Sequence, residues 1–303
     1  MLRFVFFFLC ATPIALWGQS PAPNRLAIAE MQLALDNDGF SPGLIDGRPG
    51  RKTEQAAAFR KLLAEPPPAG SQGKESWVEW KIPPGFLADL QEVPESWVAR
   101  SKLKNLGYES ALEKIAEQFH VSEDFLKALN PAVKNWDRLQ EGAELKVPAL
   151  ALRKLPRADY LEIHLSEKLI LARDHADRIA ASFPCSIAAK KEKRPLGWLA
   201  VSVLAPNPEY LFDPALFTEV PESLKITSKL FIPPGPNNPV GVMWIGLSAT
   251  ASGKALKGIG IHGTPKPEDI GKTESHGCFR MTNWDVQRLA AMLRIGTPVL
   301  VKE

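Results

Sequence analysis

His262 and Cys278, 16 positions apart, are the residues whose types first suggest chemistry. A thiolate is a strong nucleophile, and an imidazole is the side chain suited to collect its proton near neutral pH. Cys278 stands in Ser275-His276-Gly277-Cys278-Phe279-Arg280, and His262 follows Gly258-Ile259-Gly260-Ile261. If Ile259 to Ile261 is extended, its isoleucines share one face and His262 takes the other. Glycines 258, 260 and 263 clear space beside the imidazole. Gly277 permits a tight turn, so the Gly277 and Cys278 amides could face a developing oxyanion. Arg280 puts positive charge near the sulfur and favours the thiolate. These are the parts of a Cys-His acyl transferase. His262 lies on a different segment from Cys278 and can approach it from a facing wall, which makes it a better base than His276. Two other readings stand beside this one. His262, His276 and Cys278 could be zinc ligands, though a fourth is lacking nearby. Cys278 could also be a structural thiol, or be disulfide-bonded to Cys185.

The elements around this pair belong to a chain of 303 residues, long enough for two or three domains. Hydrophobic residues make up 45% and charged residues 23%, which excludes wholesale disorder. The 27 prolines exceed the average share of about 5% and point to turns and linkers rather than long helices. The net charge of +3 comes with no basic run, so no nucleic-acid partner is expected. Residues 1–18 read as a secretory signal peptide. Arg3 precedes an apolar stretch from Phe4 to Trp17 that would span about 21 Å as a helix, short of a ~30 Å bilayer core. The mature chain is therefore expected to be secreted to the periplasm or cell wall, without stable membrane insertion. Only Cys185 and Cys278 would then remain, and Cys185 follows the apolar Phe183-Pro184 as a small core hydrophobe would.

Three modules follow. Residues 24–65 read as two helices around the turn-rich Asn37 to Gly50, the second capped by Thr53. Residues 66–95 read as a Pro- and Trp-rich linker whose Trp77 and Trp80 pin it to a neighbour. In residues 96–149, Leu112, Ile115, Ala116 and Phe119 repeat at helical spacing, a second helix opens at Ser122, and Leu139 to Pro148 reads as a turn and short strand. From residue 155 to 303 the texture is short strands, including 160–165, 169–172, 179–187, 198–204 and 240–247, with one helix at 283–294. That is a β-rich sandwich or partly closed barrel. His120, His164 and His175 have no evident partners.

Ordered motifs give each module a resemblance. Gln32, Leu35, Gly39-Phe40, Pro42-Gly43, Ile45-Asp46-Gly47, Gly50, Lys52-Thr53, Ala57 and Phe59-Arg60 resemble the small helical peptidoglycan-binding domain. The Ile115-Ala116 and Phe119 spacing, the Leu129-Asn130-Pro131 close and the Gly142 to Pro148 ending resemble a LysM module. Arg194 to Trp198, Pro206 to Tyr210, Ile232 to Gly241, Gly260 to Thr264, Ile270-Gly271, Ser275 to Met281 and Gly296 to Val299 resemble the YkuD-type L,D-transpeptidase catalytic domain. The fold class implied is multidomain α+β, with a mainly-β C-terminal β-sandwich and two small N-terminal modules.

The resemblance further implies an enzyme that attacks a peptidoglycan tetrapeptide stem before its terminal D-Ala and passes the thioester to an amine. Cys278 matches the nucleophile and His262 the base, with the Gly263 carbonyl orienting the imidazole. His276 and Arg280 match supporting positions, and Gly277 and Ser275 belong with them to the substrate or oxyanion side. No cofactor or metal is implied. The partners are stem peptides and glycan strands, with a wall-attached protein amine as another acceptor. The N-terminal modules would act as tethers, so a chain beginning near Leu155 is expected to keep activity on soluble muropeptides. Water as acceptor would make the enzyme an L,D-carboxypeptidase or cross-link hydrolase. A non-catalytic wall-binding protein is the alternative from another class.

Overall fold

A computed structural model describes residues 21–62, 75–216, 226–249 and 258–303. The expected signal peptide at 1–18 lies outside them. Helix α1 (Pro23–Asn37) starts with proline in its first turn, where the missing N–H costs nothing. It packs on α2 (Arg51–Leu62), and Gln32 sews the turn between them. The Gln32 side-chain oxygen accepts from the Asp46 and Gly47 N–H groups at 3.0 and 2.8 Å, while its nitrogen donates to Asp46 Oδ1 at 2.9 Å and Thr53 Oγ1 at 3.1 Å.

The described part of the expected linker is built into the next module. Strand β1 (Trp77–Lys81) pairs antiparallel with β2 (Glu144–Pro148), Trp77 opposite Pro148 and Lys81 opposite Glu144. Between them lie a short helix α3 (Trp97–Arg100), then α4 (Ala111–Gln118) and α5 (Glu123–Leu129). Ser110 caps α4 by accepting from the Glu113 N–H, and Ser122 caps α5 by accepting from Phe125. Trp77 meets the edge of Phe125, and Trp80 meets Phe86 and Phe119. The module's sheet thus opens at Trp77, well before residue 96, with the short α3 between β1 and the helix pair α4–α5. The two ends of this sheet are far apart in sequence, which is why the local pattern hid the pairing.

The C-terminal strands are β3 (Tyr160–His164), β4 (Leu169–Arg173), β5 (Ile179–Pro184), β6 (Ile187–Ala188), β7 (Gly197–Pro206), β8 (Tyr210–Phe212), β9 (Leu230–Ile232), β10 (Met243–Ala249), β11 (Gly260–His262), β12 (Thr273–Ser275) and β13 (Phe279–Arg280). Helix α6 (Asn283–Met292) and β14 (Pro298–Lys302) complete the chain. Eight of these strands form one mixed sheet in the order β13-β11-β10-β7-β14-β3-β4-β5. The expected mainly-β fold is present, and of the two expected forms, sandwich or partly closed barrel, the eight-stranded sheet takes the one whose edges close on each other. Its two edges meet where Ser186, just after β5, exchanges both backbone hydrogen bonds with Arg280 of β13. Phe183 and Phe279, from opposite edges, fall in one core cluster with Ile163, Ile245, Ile261 and Leu289 of α6. Burial of such side chains at roughly 25 cal/mol per Å² drives the closure.

The modules share their cores. Leu35, Phe40 and Ala56 pack with Leu169, Leu171 and Ile179, and Val93 and Leu106 pack with Phe212 and Ile232. At the centre, buried Asp36 of α1 takes His120 Nδ1 at 2.7 Å and Arg288 Nη1 of α6 at 2.7 Å. His120, expected to lack a partner, instead joins all three modules and stacks on Trp284 at 4.9 Å.

Candidate active site

Strand pairing brings His262 and Cys278 to one wall. β11 and β13 run parallel, with Ile261 opposite Phe279 and His262 opposite Arg280. Side chains alternate across a sheet, so Ile261 and Phe279 enter the core, and His262, Arg280 and the preceding Cys278 share the other face. Trp244, opposite His262 on β10, lies on that face and stacks on the imidazole at 5.7 Å and 16°. Gly260 is required for this arrangement. A Cβ there would come within 2.7 Å of the Trp244 ring.

His262 is buried, and its Nδ1 lies 2.7 Å from the Gly263 carbonyl. A carbonyl only accepts, so Nδ1 carries the proton and Nε2 keeps its lone pair. Burial pushes the imidazole down to about 4; the Gly263 bond opposes this and the Arg280 charge adds to it. The ring is neutral at neutral pH. Cys278 is half-buried, and its thiol donates to the Gly258 carbonyl at 3.3 Å. Burial pushes this thiol up, while the Gly260 N–H and the Arg280 charge pull it down. The resting pair is therefore thiol and imidazole, not thiolate and imidazolium.

The remaining expected residues fall around the sulfur in different ways. Ser275 is buried and donates to the Cys278 carbonyl at 2.5 Å. It shapes the loop from beneath. The Gly277 N–H reaches Ser275 Oγ only at 3.4 Å, and among the described residues nothing accepts the Cys278 N–H. There is open space where a side chain on Gly277 would stand. Arg280 pairs with Glu274 at 3.0 Å, and His276 is exposed. Cys185 lies in the core as a free thiol, pushed up by burial; the disulfide alternative is not formed. Among the described residues no three His, Cys, Asp or Glu side chains gather as metal ligands would.

Three contributors were invisible to spacing. Trp244 covers the imidazole. Tyr210 lies within the influence of Cys278 and Arg280, its phenol pushed up to about 12 by burial and then by the sulfur. Asn283 braces the loop after β11: its Oδ1 accepts from the Thr264 N–H at 3.1 Å and the Val242 N–H at 3.3 Å. That oxygen occupies the place where a side chain on Gly263 or Gly241 would begin, 2.2 and 2.1 Å from the respective Cβ positions. Tyr210 stood within a quoted motif, but nothing local assigned it a task.

Residues 158–301 match the family model for the YkuD L,D-transpeptidase catalytic domain. A Bacillus subtilis protein named "Putative L,D-transpeptidase YqjB" is 41% identical over 68 residues, which are 22% of this chain and 38% of the relative. This chain thus spans well under two thirds of that relative's length. A Bacillus licheniformis protein named "Putative L,D-transpeptidase YkuD" is 26% identical over 191 residues, 63% of this chain and 92% of the relative. Among solved structures, an L,D-transpeptidase from Mycobacterium smegmatis aligns over 54% of this chain and 64% of its own at 14% identity, with a TM-score of 0.35.

Proposed function

We propose, on the premise that residues 158–301 are a YkuD L,D-transpeptidase catalytic domain, that the protein is a cysteine-dependent acyltransferase of the cell wall. Its donor is a peptidoglycan tetrapeptide stem, from which the terminal D-Ala leaves, and its acceptor is an amine of another stem or of a wall-attached protein. The observation that carries this reading is the pairing of β11 with β13, which sets Cys278 and a neutral His262 on one face.

In this reading the Cys278 Sγ attacks the carbonyl carbon of the diamino acid while its proton passes to His262 Nε2. The Gly263 carbonyl steadies the imidazolium that forms, as a carboxylate does elsewhere. The unengaged Cys278 N–H and the weakly held Gly277 N–H stabilise the oxyanion. His262 then returns the proton to the departing D-Ala nitrogen, the C–N bond breaks, and a thioester remains on Cys278. The acceptor amine attacks that thioester, gives a proton to His262, and releases the sulfur, which regains its proton. Arg280 draws the substrate carboxylate, with its partner Glu274 within reach to limit unproductive anion binding. His276 supports the pocket from its exposed position.

The leader pattern at 1–18 supports export to the periplasm or wall. Among the described residues no helix is long and apolar enough to cross a membrane. The Gln32-held turn supports reading residues 24–65 as a peptidoglycan-binding fold. The β1–β2 pair of the second module, with α4 and α5 between its strands, supports a LysM-like fold that opens near Trp77. Incubation with purified disaccharide-tetrapeptide, followed by mass spectrometry, tests the activity. Cross-linked dimer is the expected product. Tripeptide alone would assign water as the acceptor, and unchanged substrate would leave only a wall-binding role.

A further inference from the structure

Glu117 belongs to α4 of the second module, yet its carboxylate lies against the loop that holds the proposed base. Asn283 Nδ2 donates to Glu117 Oε2 at 3.1 Å and Oε1 at 3.2 Å, and to the Pro236 carbonyl at 3.2 Å. Tyr108 donates its hydroxyl to Glu117 Oε1 at 2.8 Å. At the other end of the same amide, Asn283 Oδ1 serves the Val242 and Thr264 N–H groups and presses on Gly263, whose carbonyl holds His262 Nδ1. A carboxamide can be turned end for end at almost no steric cost. An ionised carboxylate accepts only, and so Glu117 adds its charge to the Pro236 carbonyl and the two loop N–H groups that together set which end faces it. With Nδ2 held toward Glu117, Oδ1 must face the loop. We propose that Glu117 is a positioning residue for the Cys278–His262 pair, fixing the Asn283 amide and through it the Gly263 carbonyl that orients the imidazole. The inference rests on the reading of His262 as the base.

This contact also makes the site sensitive to pH. Burial pushes the Glu117 carboxyl up to about 7, against the pull of the Tyr108 and Asn283 hydrogen bonds; Glu113 adds to the rise and His120 opposes it. Titratable and charged groups surround it on every neighbouring element. Glu113 and Lys114 lie on the same helix, and Tyr108 and Glu109 lie before it. His120 follows it, held by Asp36 of α1. From α6 come Arg288, which also binds Asp36, and Asp285, which accepts from Ser41. A cavity of about 940 Å³ where the three modules meet has Glu117 in its wall, giving protons a route. Protonated Glu117 keeps an acceptor oxygen but loses the charge that strengthens the bonds from Asn283 Nδ2 and Tyr108, so its hold on the amide weakens. The ionised form above pH 7 is the one that holds the loop more tightly.

The test uses the full chain and the rate of Cys278 acylation by a carbapenem, followed as intact protein mass between pH 5 and 9. The wild type should gain rate as pH rises through about 7. Glu117→Gln should lose that step and follow only the lower transition of His262. Asn283→Asp sets two carboxylates together and should slow acylation on the order of tenfold at pH 8. Adding Glu117→Gln to it should restore part of the rate, because the amide introduced on α4 can donate to the carboxylate introduced on α6 while accepting from Tyr108, whereas the Pro236 carbonyl still loses its donor. An unchanged pH step in Glu117→Gln, or a double variant no faster than Asn283→Asp, overturns the proposal even if either variant is less stable. A wild type that is never acylated overturns the reading of the site itself, and this inference with it.

Discussion

At Cys278 and His262, the two pKa shifts describe one design. Burial keeps the thiol protonated and the imidazole neutral, so in the proposed reaction the proton would move only as the substrate carbonyl is attacked. His262→Ala should slow acylation by about 10² to 10⁴, the usual scale of general acid–base help, while leaving the fold intact. In the wild type the lower acid transition, set by His262, should lie near pH 4, well below an ordinary histidine. The same shift sets a stability slope. The folded pKa of about 4 lies below the 6.5 of an unfolded histidine, so the unfolded chain binds more protons between them. His262 therefore contributes stability that is fully present above pH 6.5 and is lost as pH falls toward 4. Thermal melts over that range should show a steeper decline for wild type than for His262→Gln, and equal declines would remove this account. Cys185→Ala should keep most turnover with or without reductant, because Cys185 is a free core thiol; a reductant requirement that vanishes in this variant would show otherwise.

At the level of elements, the parallel pair β11–β13 and the Ser186–Arg280 closure set the site's geometry. Gly260→Ala forces the Trp244 ring aside and should lower the acylation rate more than it lowers the melting temperature. Measuring both on one preparation checks this. Much of this level was legible in the sequence. The short apolar runs in 160–164 and 169–173, the glycines before His262 and the apolar helix after Thr282 all carry local signals. What lay hidden depends on distant partners. Trp77–Lys81 is too short and too interrupted by prolines nearby to declare itself a strand until residues 144–148 pair with it. His120 looked unpartnered because Asp36 lies 84 positions away. Trp244 and Asn283 do their positioning through tertiary contacts that no spacing encodes.

Across the whole molecule, the N-terminal modules pack against the C-terminal strands, which bears on the expectation that a chain from Leu155 would keep activity. Removing the first 154 residues would expose Leu169, Leu171 and Ile179, strip Asn283 of Glu117 and leave Arg288 without Asp36. Such a chain should melt lower and acylate more slowly even on soluble muropeptides; full activity would show that the modules are tethers only. The Asp36 pair gives the interface its own test. Burial works against the Asp36 charge, but His120 and Arg288 outweigh it and keep the carboxyl below its ordinary range. Breaking one arm leaves a buried charge uncompensated, so Arg288→Met should destabilise the protein by about 3–5 kcal/mol. Replacing Arg288 without loss in chemical denaturation would contradict that role.

The most direct measurement is the intact mass of the protein after mixing with disaccharide-tetrapeptide and rapid acid quench. Wild type should carry the donor muropeptide mass less D-Ala, mapped by proteolysis to Cys278, and His262→Ala should accumulate the same adduct far more slowly. Cys278→Ala should carry none while still binding sacculi. An adduct that persists in Cys278→Ala, or one that maps to another residue in the wild type, would contradict the account.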